Sequence, residues 1–357
     1  MATDSVSPRF ARWLLGGLVG LTILLFLPSL GVGFVFDDMV VIPQNPTVTS
    51  LSHWTEWFTG PYWPQEGGFG LYRPLILASY ALTWAAVGAT PWVFHLTNVL
   101  AHALVTALVW WVGRRIGLSA VAALLAALLF AVHPVHVEVV AAVVNRTDSF
   151  VAAPMLLAVG IHCLTGPYTW RRAAAVLACF VLALGCKESA LLLPALLLAA
   201  EITLTPARWR DANSRAPLVG LAASMVALIA LYVVAVVHFC GRFGFSSAAA
   251  AFPNTTIWDR LGVIPWVIGQ YARLLLWPMR LSPDYGHALP APTAARQVLG
   301  LLLLAILVGG GLVAVWILRR RHPPGAFALL WVGLAMAPYL HIIRGGAVVA
   351  ERFAYLA

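Results

Sequence analysis

The chain has 357 residues, of which 61% are hydrophobic and 10% are charged. That composition excludes a soluble globular domain, since runs such as Leu14–Leu30 and Leu299–Leu318 approach or reach the ~20 residues that cross a bilayer. A formal charge of +9 does not signal nucleic acid, because the arginines sit in short clusters between apolar runs and not on one soluble basic face; anionic lipid headgroups suit them better.

Taken in chain order, the apolar runs predict crossings near 12–30, 91–113, 119–138, 149–166, 173–187, 189–205, 217–238, 297–318 and 326–343. Arg9 and Arg12 ahead of the first run imitate a signal peptide, but the run is long for one, and it reads as a retained anchor. The arginine clusters Arg114-Arg115, Arg171-Arg172, Arg208/Arg210/Arg215 and Arg319–Arg321 then all fall on the side of the N-terminus, which the positive-inside rule makes cytoplasmic. For this to hold, two further apolar stretches must not cross. These are 72–87 and 258–280, and both read as amphipathic helices on the outer surface. The expected fold is an all-α polytopic membrane protein, one domain over 1–357, with a long outer loop near 31–90 and an outer interfacial segment near 239–296. The ending at Ala357 follows no cap or stop signal, so the natural protein is expected to continue.

The opposite ends of the crossings carry different chemistry. Asp37-Asp38 follows the first crossing directly. An acid pair there either takes a proton from an acceptor hydroxyl as a general base or is a solvated pair that ends a helix. His95, Asn98 and His102 share one face of the second crossing, where they either line a site or bond between helices. His133-Pro134-Val135-His136-Val137-Glu138 ends the third crossing. Its spacing differs from that of a helical zinc motif, so a hydrogen-bonding shell around a phosphate or sugar is favoured over a divalent metal. Arg146 either grips a phosphate bidentately or pairs with Asp148. Lys187 is the sole lysine. Beside Glu188 and close to membrane depth, it is a functional group by default or a self-satisfied pair. Glu351-Arg352 adds a last cation. The four cysteines lack metal or disulfide spacing.

In order, these pieces resemble a family pattern. Phe36-Asp37-Asp38, Asn45-Pro46, Tyr72-Arg73-Pro74-Leu75 and Pro91 with Phe94-His95, Asn98 and His102 make the first half. His133-Pro134, His136, Glu138, Arg146, Asp148, Lys187-Glu188, Leu276-Trp277-Pro278, Leu281 to Tyr285 and Glu351-Arg352 make the second. The chain resembles the membrane part of the transmembrane-and-tetratricopeptide-repeat O-mannosyltransferases. It is more distantly similar to protein O-mannosyltransferases and other glycosyltransferases of the C-type fold. No tetratricopeptide repeats follow within the chain, and the closing Tyr355-Leu356-Ala357 lacks the Pro-Ser of the family.

The resemblance implies transfer of a sugar, mannose by the family's habit, from a polyprenyl phosphate to a hydroxyl of a protein or glycan, with inversion. It places the site on the non-cytoplasmic face, expected here in a bacterial inner membrane. Asp37 and Asp38 would be the catalytic acids. Arg146, Lys187 and Arg352 would hold the donor phosphate, with Arg73, His95, Asn98, His133, His136, Glu138, Asp148, Glu188 and Glu351 around them. No cofactor beyond the lipid-linked donor is implied. The competing class is a transporter or flippase, which would keep ionisable groups near the midplane in repeated halves.

Overall fold

The computed structural model describes residues 7–64, 70–244, 255–282, 285, 293–341 and 346–357. Pro283 and Asp284 of the family pattern, and parts of the segments 31–90 and 239–296, lie outside them. Among the described residues all regular structure is helical.

The first helix, α1 (Pro8–Phe26), starts on a Ser7 cap that accepts from the Phe10 N–H and runs on through a 3-10 turn, Leu27–Gly31. Three short helices follow, α2 (Asp37–Val41), α3 (Pro46–Thr49) and α4 (Glu56–Thr59), and then α5 (Pro74–Val87) and α6 (Pro91–Arg115). Proline opens α3, α5 and α6, where its missing N–H costs nothing. The expected third crossing breaks at His133. Helix α7 (Ala120–Val132) and the stretch Pro134–Ala141, which contains α8 (Val137–Ala141), meet at 52°. Pro134 is the reason, because its ring cannot continue the α7 ladder.

Helices α9 (Arg146–His162) and α10 (Trp170–Cys186) are antiparallel neighbours, and a 3-10 turn over Glu188–Leu192 leads into α11 (Leu193–Thr203). Helix α12 (Ala212–Cys240) ends on Gly241 at φ 72°, a left-handed cap. The rest is α13 (Ile257–Leu261), α14 (Ile264–Leu276), α15 (Ala294–Arg321) and α16 (Pro323–Met336).

Five helical stretches are long and apolar enough to span a membrane: Arg9–Gly31, Pro91–Arg115, Ala212–Cys240, Ala294–Arg321 and Pro323–Leu340. The bent α7–α8 pair would make a sixth. This is an all-α polytopic membrane protein. Helices α9, α10 and α11, with 17, 17 and 11 residues, are shorter and more deeply packed. Helices α5 and α14 have 14 and 13 residues, about 20 Å at 1.5 Å per residue, against a hydrocarbon core of about 30 Å. Helix α14 is amphipathic: Ile264, Val267, Tyr271 and Leu274 are buried along one face.

The bundle centres on α9, which packs along both α10 and α6; α1 and α7 lie outside α6, and α16 lies against α11 and α15. Close approach of α9 to α6 needs Gly160, since a Cβ there would lie 1.8 Å from the Trp111 ring. The outward faces of α1 and α15 remain rich in exposed leucine, valine and tryptophan, the surface a lipid solvent requires.

Candidate active site

The segment after α1 turns sharply at Phe36, whose φ of 47° and ψ of −120° lie in a region that a bulky residue adopts only when its surroundings force it. The turn separates the two acids. Asp38 is buried. Its Oδ1 accepts from the Val144 N–H at 2.7 Å and its Oδ2 from the Val35 N–H at 3.3 Å. It therefore ties the segment after α1 to the Val143–Asn145 turn ahead of α9. Asp37 points the other way, into a cavity of about 440 Å³. Among the described residues its carboxylate has no hydrogen-bond partner. Partial burial, first of all, pushes the Asp37 carboxyl upward; Glu138 adds to that and the Arg352 guanidinium opposes it. Burial raises Asp38 too, against its backbone hydrogen bonds.

Three cations from three separate breaks in the helical bundle share this cavity with Asp37. Arg73, the residue before α5, reaches Glu188 through its Nε at 3.2 Å and its Nη2 at 2.8 and 3.0 Å. It also stacks on the Tyr62 ring, 5.0 Å from the centroid. Lys187, at the end of α10, donates to Asp148 at 2.6 Å, and both side chains are nearly sealed, at 5% and 7% exposure. Arg352 donates through its backbone N–H to Glu138 at 2.8 Å and through Nη1 to the same carboxylate. Tyr232, Tyr339 and Phe353 line the cavity as well. Nothing in their sequence context marked these aromatics, nor Tyr62.

Arg146 is not in the cavity wall, contrary to its expected grip on a phosphate. It is completely buried, and it donates to Asn98 Oδ1 at 3.0 Å, Ser79 Oγ at 3.2 Å and the Phe94 carbonyl at 3.1 Å. The Tyr80, Phe94 and Phe150 rings surround its guanidinium. Nor does it pair with Asp148, whose partner is Lys187. Asn98 and His95 likewise sit behind the site and not on it. The Asn98 amide donates to the Ala142 carbonyl at 3.0 Å, and His95 is buried near Asp38. His102, deeper on α6, bonds Tyr355 of the C-terminal turn at 2.8 Å and the Ala131 carbonyl of α7 at 3.4 Å.

His133 and His136 face a second cavity of about 360 Å³, apolar apart from these rings and Tyr355, bounded by α6, α7 and α16. His133 is committed to the Leu275 carbonyl at 3.0 Å and the Val135 N–H at 3.3 Å. Among the described residues no three His, Cys, Asp or Glu side chains gather closely enough to hold a metal. Glu351 is buried and accepts from Tyr285 Oη at 2.7 Å and the Ser282 N–H at 3.0 Å. It fixes the segment whose next residues wall both cavities: Arg352 and Phe353 the polar one, Ala354 to Ala357 the apolar one.

The structure defines a polytopic helical membrane bundle with a charge-lined cavity and an apolar one that share the segment Arg352 to Ala357 in their walls. Comparison with known proteins narrows this. The chain is 33% identical over 310 residues to protein O-mannosyl-transferase Tmtc2 of Drosophila melanogaster, a match covering 81% of this chain and 32% of that protein. It is 31% identical over 309 residues to Tmtc1 of the same organism, covering 79% and 36%, and 36% identical over 178 residues to TMTC4 of Homo sapiens, covering 45% and 24%. The chain is a homologue of the Tmtc protein O-mannosyl-transferases, and it spans about a third of the length of the first two relatives. No family model and no solved structure matches it.

Proposed function

We propose that this chain is the membrane part of an O-mannosyltransferase of the C-type architecture, which moves mannose from a polyprenyl phosphate to a protein hydroxyl on the non-cytoplasmic face. The observation that carries this reading is the position of Asp37: an open carboxylate, without a hydrogen bond among the described residues, facing a cavity with three cations, next to an apolar cavity that shares a wall with it. The relatives are named for protein O-mannosyl transfer, which supports the sugar and the acceptor.

Asp37 takes the proton of the acceptor hydroxyl as its oxygen attacks the anomeric carbon of the sugar. The bond from that carbon to the phosphate oxygen breaks on the opposite face, which inverts the configuration. The electron pair goes to the lipid phosphate, a good leaving group, so no general acid is needed. Arg352 and Lys187 neutralise the charge that builds on it, with Arg73 at the cavity wall. Asp38 acts as a positioning residue: it holds the loop that aims Asp37. The isoprenoid chain lies in the apolar cavity between α6, α7 and α16, where burying each CH₂ is favourable by about 0.8 kcal/mol.

The test is reconstitution of the full chain in proteoliposomes with labelled polyprenyl-phosphate mannose and a serine- or threonine-containing peptide. Asp37→Asn is expected to insert normally and to lose transfer by at least about 100-fold, the lower end of what a general base contributes. Wild-type transfer by Asp37→Asn would remove Asp37 as the base. Absence of a mannosylated product from the wild-type chain with every acceptor tried, together with release of free lipid across the bilayer, would replace the transferase with a flippase.

A further inference from the structure

Each of the three cations of the polar cavity already faces a carboxylate before any ligand arrives. Arg73 faces Glu188, Lys187 faces Asp148, Arg352 faces Glu138, and Asp37 is left over. An anionic group that enters must therefore take a cation from a carboxylate that already holds it. The three pairs differ in how readily they can yield one. Lys187 lines the cavity, but its ammonium is bound to Asp148 and both side chains are nearly buried, so separating them would strand a buried charge. Arg73 makes three contacts to Glu188 and stacks on Tyr62. Arg352 is held least. Like Arg73 it lies over a ring, Phe353, 5.1 Å from the centroid, but its guanidinium reaches Glu138 through Nη1 alone, Nε and Nη2 have no hydrogen-bond partner among the described residues, and the two side chains are 30% and 20% exposed.

Glu138 also has a second bond that does not depend on the guanidinium. Its Oε2 accepts from the Arg352 backbone N–H at 2.8 Å. The Asn145 amide holds the Glu138 carbonyl at 3.1 Å, and Pro134 fixes the bend from which α8 starts. When the guanidinium leaves, the carboxylate keeps its place and a hydrogen bond, which removes most of the penalty for exchange.

Resting on the donor reading above, we propose that Glu138 is an exchangeable counter-ion: it holds Arg352 while the cavity is empty and yields the guanidinium to the phosphate of a polyprenyl lipid. A competing internal anion lowers the apparent affinity for the external one in proportion to the time Arg352 spends with Glu138. The same competition returns Arg352 to Glu138 as the lipid phosphate departs, so Glu138 speeds product release. Glu138 is a positioning residue in this account and touches no reacting atom.

The experiment uses the full chain in detergent micelles, with farnesyl phosphate as the anionic probe and farnesol as its neutral counterpart. Glu138→Gln keeps an oxygen for the Arg352 N–H but removes the charge. It is expected to bind farnesyl phosphate about three- to tenfold more tightly than wild type, the span set by one partly exposed ion pair, with farnesol affinity unchanged. Arg352→Gln is expected to lose the preference for the phosphate, and the double variant to behave as Arg352→Gln does. In turnover, Glu138→Gln is expected to lower both KM and kcat and to sharpen inhibition by the lipid phosphate product. Damage to the fold alone would not tighten binding of an anion. Glu138→Asp, which keeps the charge one methylene further back, is expected to fall between wild type and Glu138→Gln and serves if the latter does not fold. A wild-type chain that prefers farnesyl phosphate while neither variant tightens it overturns the counter-ion and leaves the donor reading standing. A wild-type chain with no preference for the phosphate over farnesol overturns the donor reading, and the counter-ion with it.

Discussion

Two adjacent acids in one dipeptide have opposite fates here, and the strained φ of Phe36 is what divides them. Asp38→Ala removes an acceptor from two part-buried backbone N–H groups and is expected to destabilise the chain by about 1–3 kcal/mol, from typical costs of hydrogen bonds to charged groups. The measurement is thermal unfolding in detergent. Asp37→Asn should leave that midpoint nearly unmoved, and equal shifts for the two would contradict the division of roles. Asp37 also sets a pH dependence. A base must be ionised to act, and burial raises the Asp37 carboxyl, so transfer is expected to fall as pH drops through that raised value. Glu138 pushes the same carboxyl up and Arg352 pushes it down. The acid limb of kcat/KM should therefore move to lower pH in Glu138→Gln and to higher pH in Arg352→Gln. An acid limb that neither variant displaces would detach it from Asp37. The sequence made Asp37, Lys187 and Arg352 visible because charges are rare in an apolar chain and a lone lysine stands out. It could not separate them from Arg146, since a buried strut and a phosphate ligand look alike until the partners of the guanidinium are seen. Arg146→Ala should accordingly lower the unfolding midpoint and not act selectively on phosphate binding.

At the scale of elements, periodicity and length identified most helices, but not where a span breaks. The run 119–138 reads as one crossing, and only the geometry at Pro134 reveals two pieces at 52°. That bend directs Glu138 to Arg352 and leaves His136 facing the apolar cavity, so function here depends on an interruption that hydropathy averages away. The turn Glu188–Leu192, at the start of the run 189–205, does the same for the Arg73–Glu188 pair. Helix packing supplies a sharper test. Gly160 lets the Trp111 ring lie against α9, and a Cβ there would come within 1.8 Å of it. Gly160→Ala must displace the ring or part α6 from α9, and the expected cost is about 1–3 kcal/mol for overpacking, read as a lower unfolding midpoint. Pairing it with Trp111→Leu should recover part of that loss. A midpoint unchanged by Gly160→Ala would mean that α6 and α9 do not meet as described.

The whole molecule is two-ended, and its ends differ in kind. At one end Asp37, Arg73, Lys187 and Arg352 arrive from four different breaks and meet in one cavity. At the other, the loops after α9 and α11 are bound together: Arg208 bonds Glu201 at 2.6 Å and the His162 carbonyl at 3.1 Å, while Arg172 bonds the Leu164 and Thr165 carbonyls. The nine crossings expected from the sequence, begun on the arginine side, would bring all four cavity residues to the opposite face and Arg171, Arg172, Arg208 and Arg319–Arg321 to the first; among the described residues five or six helical stretches are long enough to cross by themselves. The positive-inside rule favours that orientation. Moving the Arg319–Arg321 cluster to the other side would set three charges against it. In a background with Cys163, Cys179, Cys186 and Cys240 replaced, Ser52→Cys in the first outer loop is expected to react with an impermeant maleimide from the non-cytoplasmic side only. Ala207→Cys, in the turn before α12, should react only once the membrane is opened. Labelling of both from one side would change the number of crossings between them to an even one and break the convergence of the cavity residues. Labelling of Ser52→Cys from the cytoplasm alone would turn the whole site inward, against the proposed transfer on the non-cytoplasmic face.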